Sequence, residues 1–281
     1  MVDVSKLDEL ISSNKSVLFQ DNSTSKINII YLDDSTFFYK YKSNKPLHFL
    51  DGLRKFYRHI AHNFSPLNHV AFDQSDRFVK EKSTLDRWDS LKIPVIKPIH
   101  YSNDSLIFPF VEFPSVQTLL NEEPNLKIFD KTLETYFSIR ELALTSDDPY
   151  IFHTDCHLNN FLFDKSTEIS FPIDPAVCVK NDLSMRELDA YLNSFFTYGL
   201  FRLNDNEFSK HLASLFIDNL SSIDKRYFLK IHKPLSFSQK SFWFLRQEAL
   251  SYLKENFIEP NNPLNLYSDK NYHFINSLLN S

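Results

Sequence analysis

The first third of the chain alternates short apolar runs with polar turns. Ser16–Gln20, Lys26–Leu32 and Thr36–Lys42 are each rich in β-branched and aromatic residues. The segments 21–25 and 33–35, made of Asp, Asn, Ser and Thr, separate these runs. Such runs, bounded by turn-forming residues, are typical of short strands. The pattern therefore predicts a three-stranded meander.

Two helices and two more strands are predicted after the meander. Apolar residues recur at helical spacing in Leu47–Phe64 and in Ser75–Leu91, and Pro94 is expected to stop the second helix. Two shorter runs, near Val95–Tyr101 and Ser105–Glu112, favour strands. This part of the chain is therefore predicted to be strand-rich.

The rest of the chain is mainly helical in pattern. Apolar residues repeat every three or four positions in Lys127–Leu144, Glu207–Leu220 and Ser238–Phe257. The exception is a stretch in which Asn160–Phe163 and Ile169–Ile173 flank a polar turn. These two apolar runs predict a small hairpin.

The order of these elements predicts an α+β fold of two lobes. A strand-rich lobe of residues 1–113 precedes a mainly helical lobe of residues 114–281. A chain of 281 residues is long enough for two lobes that share a cleft.

Composition and charge exclude several classes of function. The net charge is −5, and Lys and Arg are scattered, which argues against a nucleic-acid-binding surface. No apolar run comes near the length of a membrane span, about 20 residues, and the polar start of the chain does not resemble a signal peptide. Cys156 and Cys178 are too few for a disulfide framework and fit a reducing compartment. We therefore expect a cytoplasmic protein without nucleic-acid or membrane partners, and its oligomeric state stays open.

One segment concentrates polar side chains of chemical interest. Phe152–Asn160 holds two His, one Asp and two Asn, and Asp174 follows behind the predicted hairpin. Phosphoryl transfer needs an acidic residue for the attacking hydroxyl and oxygen ligands that hold Mg²⁺ on the phosphates. The spacing from Asp155 to Asn160 equals the Asp-to-Asn spacing of the kinase catalytic loop.

The full motif resembles a known superfamily. His153-x-Asp155-x-x-x-x-Asn160, followed by Ile173-Asp174-Pro175-Ala176, is similar to the motif of the aminoglycoside phosphotransferase, choline kinase and fructosamine kinase superfamily. Its members are small-molecule kinases with a protein-kinase-like fold. The resemblance implies an antiparallel-sheet N-terminal lobe that binds the nucleotide. It also implies a mainly helical C-terminal lobe with the catalytic loop, the metal site and the acceptor pocket.

The resemblance implies a role for each residue of the motif. Asp155 would be the catalytic base, and His153 would brace the loop by hydrogen bonds. Asn160 and Asp174 would bind Mg²⁺. Asp189 would tie its helix back to the catalytic loop. The cofactors would be ATP and Mg²⁺, and the substrate would be a hydroxyl of a small molecule of the aminoglycoside, choline or sugar/amine type.

The same resemblance implies a lysine on the third strand and a glutamate on a following helix that pair to hold the phosphates. Lys40 and Lys42 share one face of their strand because side chains alternate. Lys40 is favoured, since Lys42 adjoins a polar exit from the strand. Glu81 falls on the apolar stripe of its helix, where a carboxylate is costly unless it is paired. The alternatives are a solvated lysine on an edge strand and a glutamate at the margin of the stripe.

Two further stretches are expected to contact the nucleotide. Average usage of about 7% would give roughly 20 glycines, but the chain has 2. Hydroxyls and backbone N–H groups of Ser23, Thr24 and Ser25 would therefore cover the phosphates, unless these residues form a plain hairpin turn. Glu112 and Phe113 match the hinge, whose backbone binds adenine in this fold.

The motif does not identify the molecule whose hydroxyl would accept the phosphoryl group. Few residues lie between Asp174 and the next predicted helix, too few for the activation loop of a protein kinase, so a small molecule is favoured over a protein. Aromatic residues of the helical region would surround the acceptor or belong to the core; they include Phe195, Phe196, Tyr198, Phe242 and Trp243.

Three other interpretations of the chain stay open. The segment 152–160 can be an exposed polar turn with no catalytic role. His153, Cys156 and His157 can form a metal site, although no fourth ligand lies at zinc-like spacing. The chain can also be a non-catalytic kinase-like binding protein, which the glycine-free turn favours and the complete motif disfavours.

Overall fold

A computed structural model describes residues 16–21, 25–32, 35–42, 77–175, 183–232 and 268–281. The predicted helices Leu47–Phe64 and Ser238–Phe257 lie outside these residues, as do Ser23, Thr24, Cys178, Phe242 and Trp243. The described part is α+β, with an antiparallel sheet followed by a mainly helical part, as the sequence predicts.

The N-terminal part is built on a five-stranded antiparallel sheet with the order β1-β2-β3-β5-β4. The strands are β1 (Ser16–Asp21), β2 (Ser25–Leu32), β3 (Ser35–Lys42), β4 (His100–Tyr101) and β5 (Ser105–Pro109). The predicted meander is confirmed. Strand β3 is central, since β2 and β5 pair with its two edges.

The last two strands are shorter than predicted. Only His100–Tyr101 of the predicted run forms β4, and β5 ends at Pro109 rather than at Glu112. Proline has no backbone N–H and cannot donate to a strand ladder. Pro94 and Pro98 interrupt the stretch before β4, and Pro109 closes β5.

Helix α1 (Arg77–Ser90) confirms the second predicted helix and joins the sheet to the C-terminal part. Phe78, Leu85 and Trp88 are buried along one stripe, as the helical spacing predicts. The indole Nε1 of Trp88 donates a hydrogen bond to the carbonyl of Ile151, at 2.6 Å. This bond fixes the helix to the segment that leads into the predicted catalytic loop.

The C-terminal part has a two-stranded hairpin among helices. Its elements are α2 (Val116–Glu122), α3 (Leu126–Ser146), β6 (Phe161–Asp164), β7 (Ile169–Pro172), α4 (Met185–Leu200), α5 (Asn206–Asp218), α6 (Ser222–Ile231) and α7 (Asp269–Leu279). The predicted hairpin is confirmed, as are the helices near residues 127–144 and 207–220.

Aromatic rings fill the centre of the helical part. The ring of Phe196 in α4 lies 4.5 Å from that of Tyr136 in α3 and 4.9 Å from that of Phe216 in α5. All three residues are buried. Large rigid rings bury much apolar area at a small cost in side-chain entropy. Helix α4 is therefore packed firmly, which matters because it also contacts the loop 152–160 through Cys156.

A buried ion-pair network joins three of these helices. The guanidinium of Arg140 in α3 binds Asp189 in α4, with Nε–Oδ1 at 2.6 Å and Nη2–Oδ2 at 2.8 Å. Its Nη2 also lies 2.7 Å from Asp224 Oδ1 in α6. Asp189 was expected to tie its helix to the catalytic loop, and that expectation is corrected: its carboxylate joins α4 to α3. A buried carboxylate needs a cation, and the adjacent helix supplies it.

Candidate active site

The loop 152–160 runs from α3 to strand β6 and is anchored on both sides. Cys156 is buried, and its thiol donates to the carbonyl of Leu192 in α4, at 3.7 Å. The carbonyl of Ile151 accepts the indole bond from Trp88 of α1. Asp155 lies between these anchors, and 35% of its side chain is exposed. The loop is thus held at its buried residues while the carboxylate of Asp155 faces solvent.

Asn160 fixes the carboxylate of Asp155. Its Nδ2 donates to the Asp155 backbone carbonyl at 2.9 Å and to Asp155 Oδ2 at 3.0 Å. Both amide hydrogens are therefore used within the loop. The amide oxygen Oδ1 takes no part in these two bonds and is an atom type that binds cations.

His153 lies under the loop, packed between two rings. Its ring centroid is 5.4 Å from that of Trp88 and 5.3 Å from that of Phe161. Its Nε2 lies 3.5 Å from the backbone carbonyl of Asn160, a long contact that bridges the two ends of the motif. Burial lowers the pKa of His153 to about 4, so the ring is neutral at neutral pH.

His157 lies beside the carboxylate of Asp155, with Nε2 at 3.5 Å from Oδ1. Burial, with a further contribution from the nearby charge of Arg202, lowers the pKa of His157 to about 3. Its Nδ1 is buried and has no hydrogen-bond partner among the residues that the structure describes. The sequence analysis gave this histidine no kinase role.

The β6–β7 hairpin brings Asp174 next to the loop. The backbone N–H of Ile173 donates a hydrogen bond to the carbonyl of Asn160, at 2.9 Å. Asp174 is the next residue and therefore lies beside the loop. Asp174 has φ 51°, in the left-handed region that costs energy for residues with a Cβ. Asp adopts this region more readily than most side chains, and such strain clusters at functional sites.

Lys40 connects the sheet, helix α1 and this hairpin. Its Nζ lies 2.7 and 2.8 Å from the two carboxylate oxygens of Glu81 and 2.8 Å from Asp174 Oδ1. The side chains of Lys40 and Glu81 are 7% and 3% exposed. Strand β3 is central, so the alternative of a solvated edge-strand lysine is wrong, as is that of a marginal glutamate.

This arrangement is that of a protein-kinase-like fold. A lysine on the third strand pairs with a glutamate on the helix that precedes β4, as in protein kinases. The ammonium group of Lys40 also contacts Asp174, which follows the loop 152–160 and the hairpin. The sequence placed all three residues in separate elements, and the structure brings them together.

The segment after β5 is the connection between sheet and helices. Phe113 stacks on Phe171 of β7, with ring centroids 5.6 Å apart and planes at 18°. Glu112 is exposed. The N–H of Phe163 donates to the Pro114 carbonyl at 3.0 Å, which holds this connection against the hairpin. Glu112 and Phe113, the predicted hinge residues, thus lie in irregular backbone beyond the strand.

Other predicted or overlooked residues can be placed as well. Ser25 begins β2, and the structure describes only its backbone. Ser115, the N-cap of α2, donates to Asn159 Oδ1 at 3.0 Å, a contact that the sequence analysis missed. A serine directly after a proline and before an apolar run was the available signal for this cap.

The metal-site alternative receives no support from the described residues. Among them, no three His, Cys, Asp or Glu side chains converge as metal ligands would. Burial raises the pKa of the Cys156 thiol, which opposes the thiolate form that binds zinc.

Of the helices in the described ranges, none is both long and apolar enough to span a membrane.

A surface cavity of about 420 Å³ lies at another place in the helical part. Residues at the ends of α2 and α3 and at the β6–β7 turn line it, among them the ion pair of Lys127 and Glu168. Its lining includes none of the motif residues, so we do not assign the chemistry to it.

Comparison with known proteins gives a likeness at the level of the fold. The sequence matches no protein-family model and no curated protein. A thermostable mutant of aminoglycoside phosphotransferase APH(4)-Ia is 12% identical, with 98% of each chain covered and a TM-score of 0.48. The kinase domain of PknI from Mycobacterium tuberculosis is 10% identical, with 76% of this chain and 88% of that chain covered and a TM-score of 0.41.

Proposed function

We propose that this protein is an ATP- and Mg²⁺-dependent phosphotransferase that acts on a hydroxyl of a small molecule. The observation that carries the proposal is the position of Lys40, whose Nζ binds Glu81 and Asp174 together. A buried cation held between two carboxylates, beside a loop that presents Asp155 and Asn160, matches the needs of phosphoryl transfer. Residues 1–113 would bind the nucleotide, and residues 114–281 would supply the catalytic loop and the acceptor pocket.

The residues present fit a magnesium ion. Asn160 binds Asp155 through Nδ2, so its Oδ1 is not used in those bonds, and Asp174 follows Ile173, which is hydrogen-bonded to Asn160. Amide and carboxylate oxygens are hard ligands, and Mg²⁺ is usually held by one or two of them together with phosphate oxygens and water. When bound, the ion would neutralise charge on the phosphates. Asn160 and Asp174 would be its protein ligands.

The chain's own groups then have defined tasks. Lys40, oriented by Glu81, would bind the α- and β-phosphates and fix the nucleotide. Asp155 would accept the proton of the acceptor hydroxyl as that oxygen bonds to the γ-phosphorus. Asn160 holds the carboxylate of Asp155 in place by its hydrogen bond to Oδ2. The connection at Glu112 and Phe113 would present backbone groups to the adenine ring.

A small acceptor is favoured over a protein. Only residues 175–184 separate Asp174 from α4, which leaves little chain for a peptide-binding platform. Phe196 and Tyr198 are buried core residues and are no longer candidates for the acceptor pocket. Phe195 is half-buried, with its ring centroid 6.4 Å from that of His157, and remains a candidate. Aminoglycosides, choline and sugars or their amines are the classes to test first.

Thermal unfolding and turnover test the proposal together. We expect MgATP to raise the melting temperature, and we expect Asp174→Ala to abolish this shift because a metal ligand is lost. Asp155→Asn should keep the shift and lose transfer of the γ-phosphate. Asp130→Ala, at an exposed site on α3, is the matched control and should behave as the wild type.

The two readouts separate the rival functions. A melting shift with MgATP, but no consumption of ATP with a pool of aminoglycosides, choline and hexoses or with water, would indicate a kinase-like binding protein. The absence of a shift with any nucleotide would refute the proposal. Phosphorylated products from the pool, identified by mass spectrometry, would name the acceptor class.

A further inference from the structure

The geometry around His157 is not explained by packing alone. Asp155 Oδ2 is held by Asn160, while Oδ1 faces His157 Nε2 at 3.5 Å. An N–H···O bond has a donor–acceptor distance of about 2.7–3.2 Å, so the two groups face each other without making a good direct bond. An oxygen that lies to one side of this pair can still be within hydrogen-bond distance of both atoms.

The surroundings of the ring decide which nitrogen carries hydrogen. A neutral imidazole has one N–H, and leaving a buried N–H without an acceptor is costly. Nδ1 is buried without a hydrogen-bond partner among the described residues. The hydrogen is therefore best placed on Nε2, where it faces the negative carboxylate of Asp155. Nε2 is thus a donor directed at the space beside the base.

We propose that His157 is a second catalytic residue, whose Nε2–H donates a hydrogen bond to the oxygen of the acceptor hydroxyl while Asp155 Oδ1 takes its proton. An oxygen about 2.8 Å from both atoms satisfies both contacts across the gap. This inference rests on the proposed function and adds to it the group that orients the nucleophile.

The step balances with the nucleotide as the only co-reactant. The acceptor O–H bond breaks and its proton moves to Asp155 Oδ1. A bond forms between the acceptor oxygen and the γ-phosphorus of ATP. The bond from the γ-phosphorus to its bridging oxygen breaks, and its electron pair leaves on ADP. His157 keeps its proton throughout, and its hydrogen bond orients the attacking oxygen toward the γ-phosphorus.

A purely structural role is the competing explanation. Helix α4 approaches this histidine, and a Cβ added at Gly199 would lie 3.5 Å from the Cβ of His157. The side chain is 15% exposed, so it contributes to packing between the loop and α4. A packing role requires the volume of the ring, whereas the proposed role requires a donor at the position of Nε2.

Three substitutions separate these explanations. Leu keeps apolar volume without a donor, Gln places an amide nitrogen near the position of Nε2, and Asn places one near Nδ1. The assay is consumption of MgATP by the full chain, with water or the pool of aminoglycosides, choline and hexoses as acceptor. The unfolding midpoint and the shift of melting temperature by MgADP are measured for each variant.

We expect His157→Leu to lower kcat about 10²-fold, the scale on which misplacement of a reacting group acts. His157→Gln should recover at least tenfold over Leu, and His157→Asn should not. The KM for MgATP and the MgADP shift should stay near wild type, because the ring does not contact the nucleotide in this scheme. The control His211→Leu removes an exposed histidine on α5 and should change nothing.

The outcomes distinguish this inference from the function on which it rests. If Asp155→Asn abolishes turnover but His157→Leu retains more than half of the wild-type kcat, the inference is wrong and the proposed function stands. Equal kcat for Gln and Asn would also overturn it, and this comparison holds even when the Leu variant does not fold. A wild type that consumes no ATP with water or the pool removes the proposed function and this inference with it.

Discussion

The ion pair of Lys40 and Glu81 allows a quantitative prediction about stability. The two side chains are 7% and 3% exposed, and Nζ contacts both oxygens of the carboxylate. Lys40→Met keeps most of the length of the side chain and removes its charge. The carboxylate of Glu81 then remains buried without its cation.

The expected loss is large relative to the stability of a domain. Breaking a buried pair by removing one partner costs about 3–5 kcal/mol, because an uncompensated charge stays buried. Domains unfold with a free energy of only about 5–15 kcal/mol, so Lys40→Met should remove a large part of it. Replacement of both partners, Lys40→Met with Glu81→Leu, removes the charge problem and should recover most of the loss.

Urea unfolding followed by far-UV circular dichroism measures these free energies. The matched control is Lys82→Met in helix α1, the helix of Glu81. It breaks an exposed ion pair with Asp86, which lies one turn further along that helix. Such a pair is worth about 0.3–0.5 kcal/mol. If Lys40→Met lies within about 1 kcal/mol of this control, the buried pair does not exist in solution as described. If the double variant is no better than Lys40→Met, the loss does not come from the negative charge that Lys40 neutralises on Glu81.

Two further predictions concern the catalytic loop and the helix behind it. Burial lowers the pKa of His153 to about 4. Between this pH and about 6.5, the unfolded chain therefore binds a proton at His153 that the native chain does not bind. His153 should therefore lower the free energy of unfolding as the pH falls from 6.5 to about 4, by up to about 1.4 kcal/mol per pH unit, in addition to the effect of His157, whose pKa is also lowered. His153→Gln should flatten this slope in urea titrations, and an unchanged slope would contradict the assignment. Gly199→Ala adds a Cβ at an ordinary contact distance from His157, and should stabilise helix α4 by about 0.5–1 kcal/mol. A loss of stability in the same titration would mean that the loop packs on α4 more tightly than described.

Local pattern determined most of the elements. The meander, helix α1, the small hairpin and the long helix α3 were all predictable, because each carries its own periodicity and turn residues. Errors occurred at proline residues: β4 and β5 are shorter than their apolar runs because a strand needs backbone donors that proline lacks.

The motif residues were also set by the sequence, because their spacing is local. Asp155 and Asn160 interact within one short loop, so a fixed separation along the chain is enough to bring them together. The pairing of Glu81 was inferred from a similar local argument, since a carboxylate on an apolar stripe requires a cation.

Only the tertiary structure decided which groups meet across the chain. The sequence left Lys40 and Lys42 on the same face, and the packing of α1 and the hairpin against central strand β3 joins Lys40 to Glu81 and Asp174. The same holds for Asp189, which binds Arg140 in a neighbouring helix. Nor did the sequence indicate that His157 Nε2 would face Asp155 with its Nδ1 buried. Contacts of this kind depend on how whole elements pack, whereas sequence patterns report only on neighbours along one element.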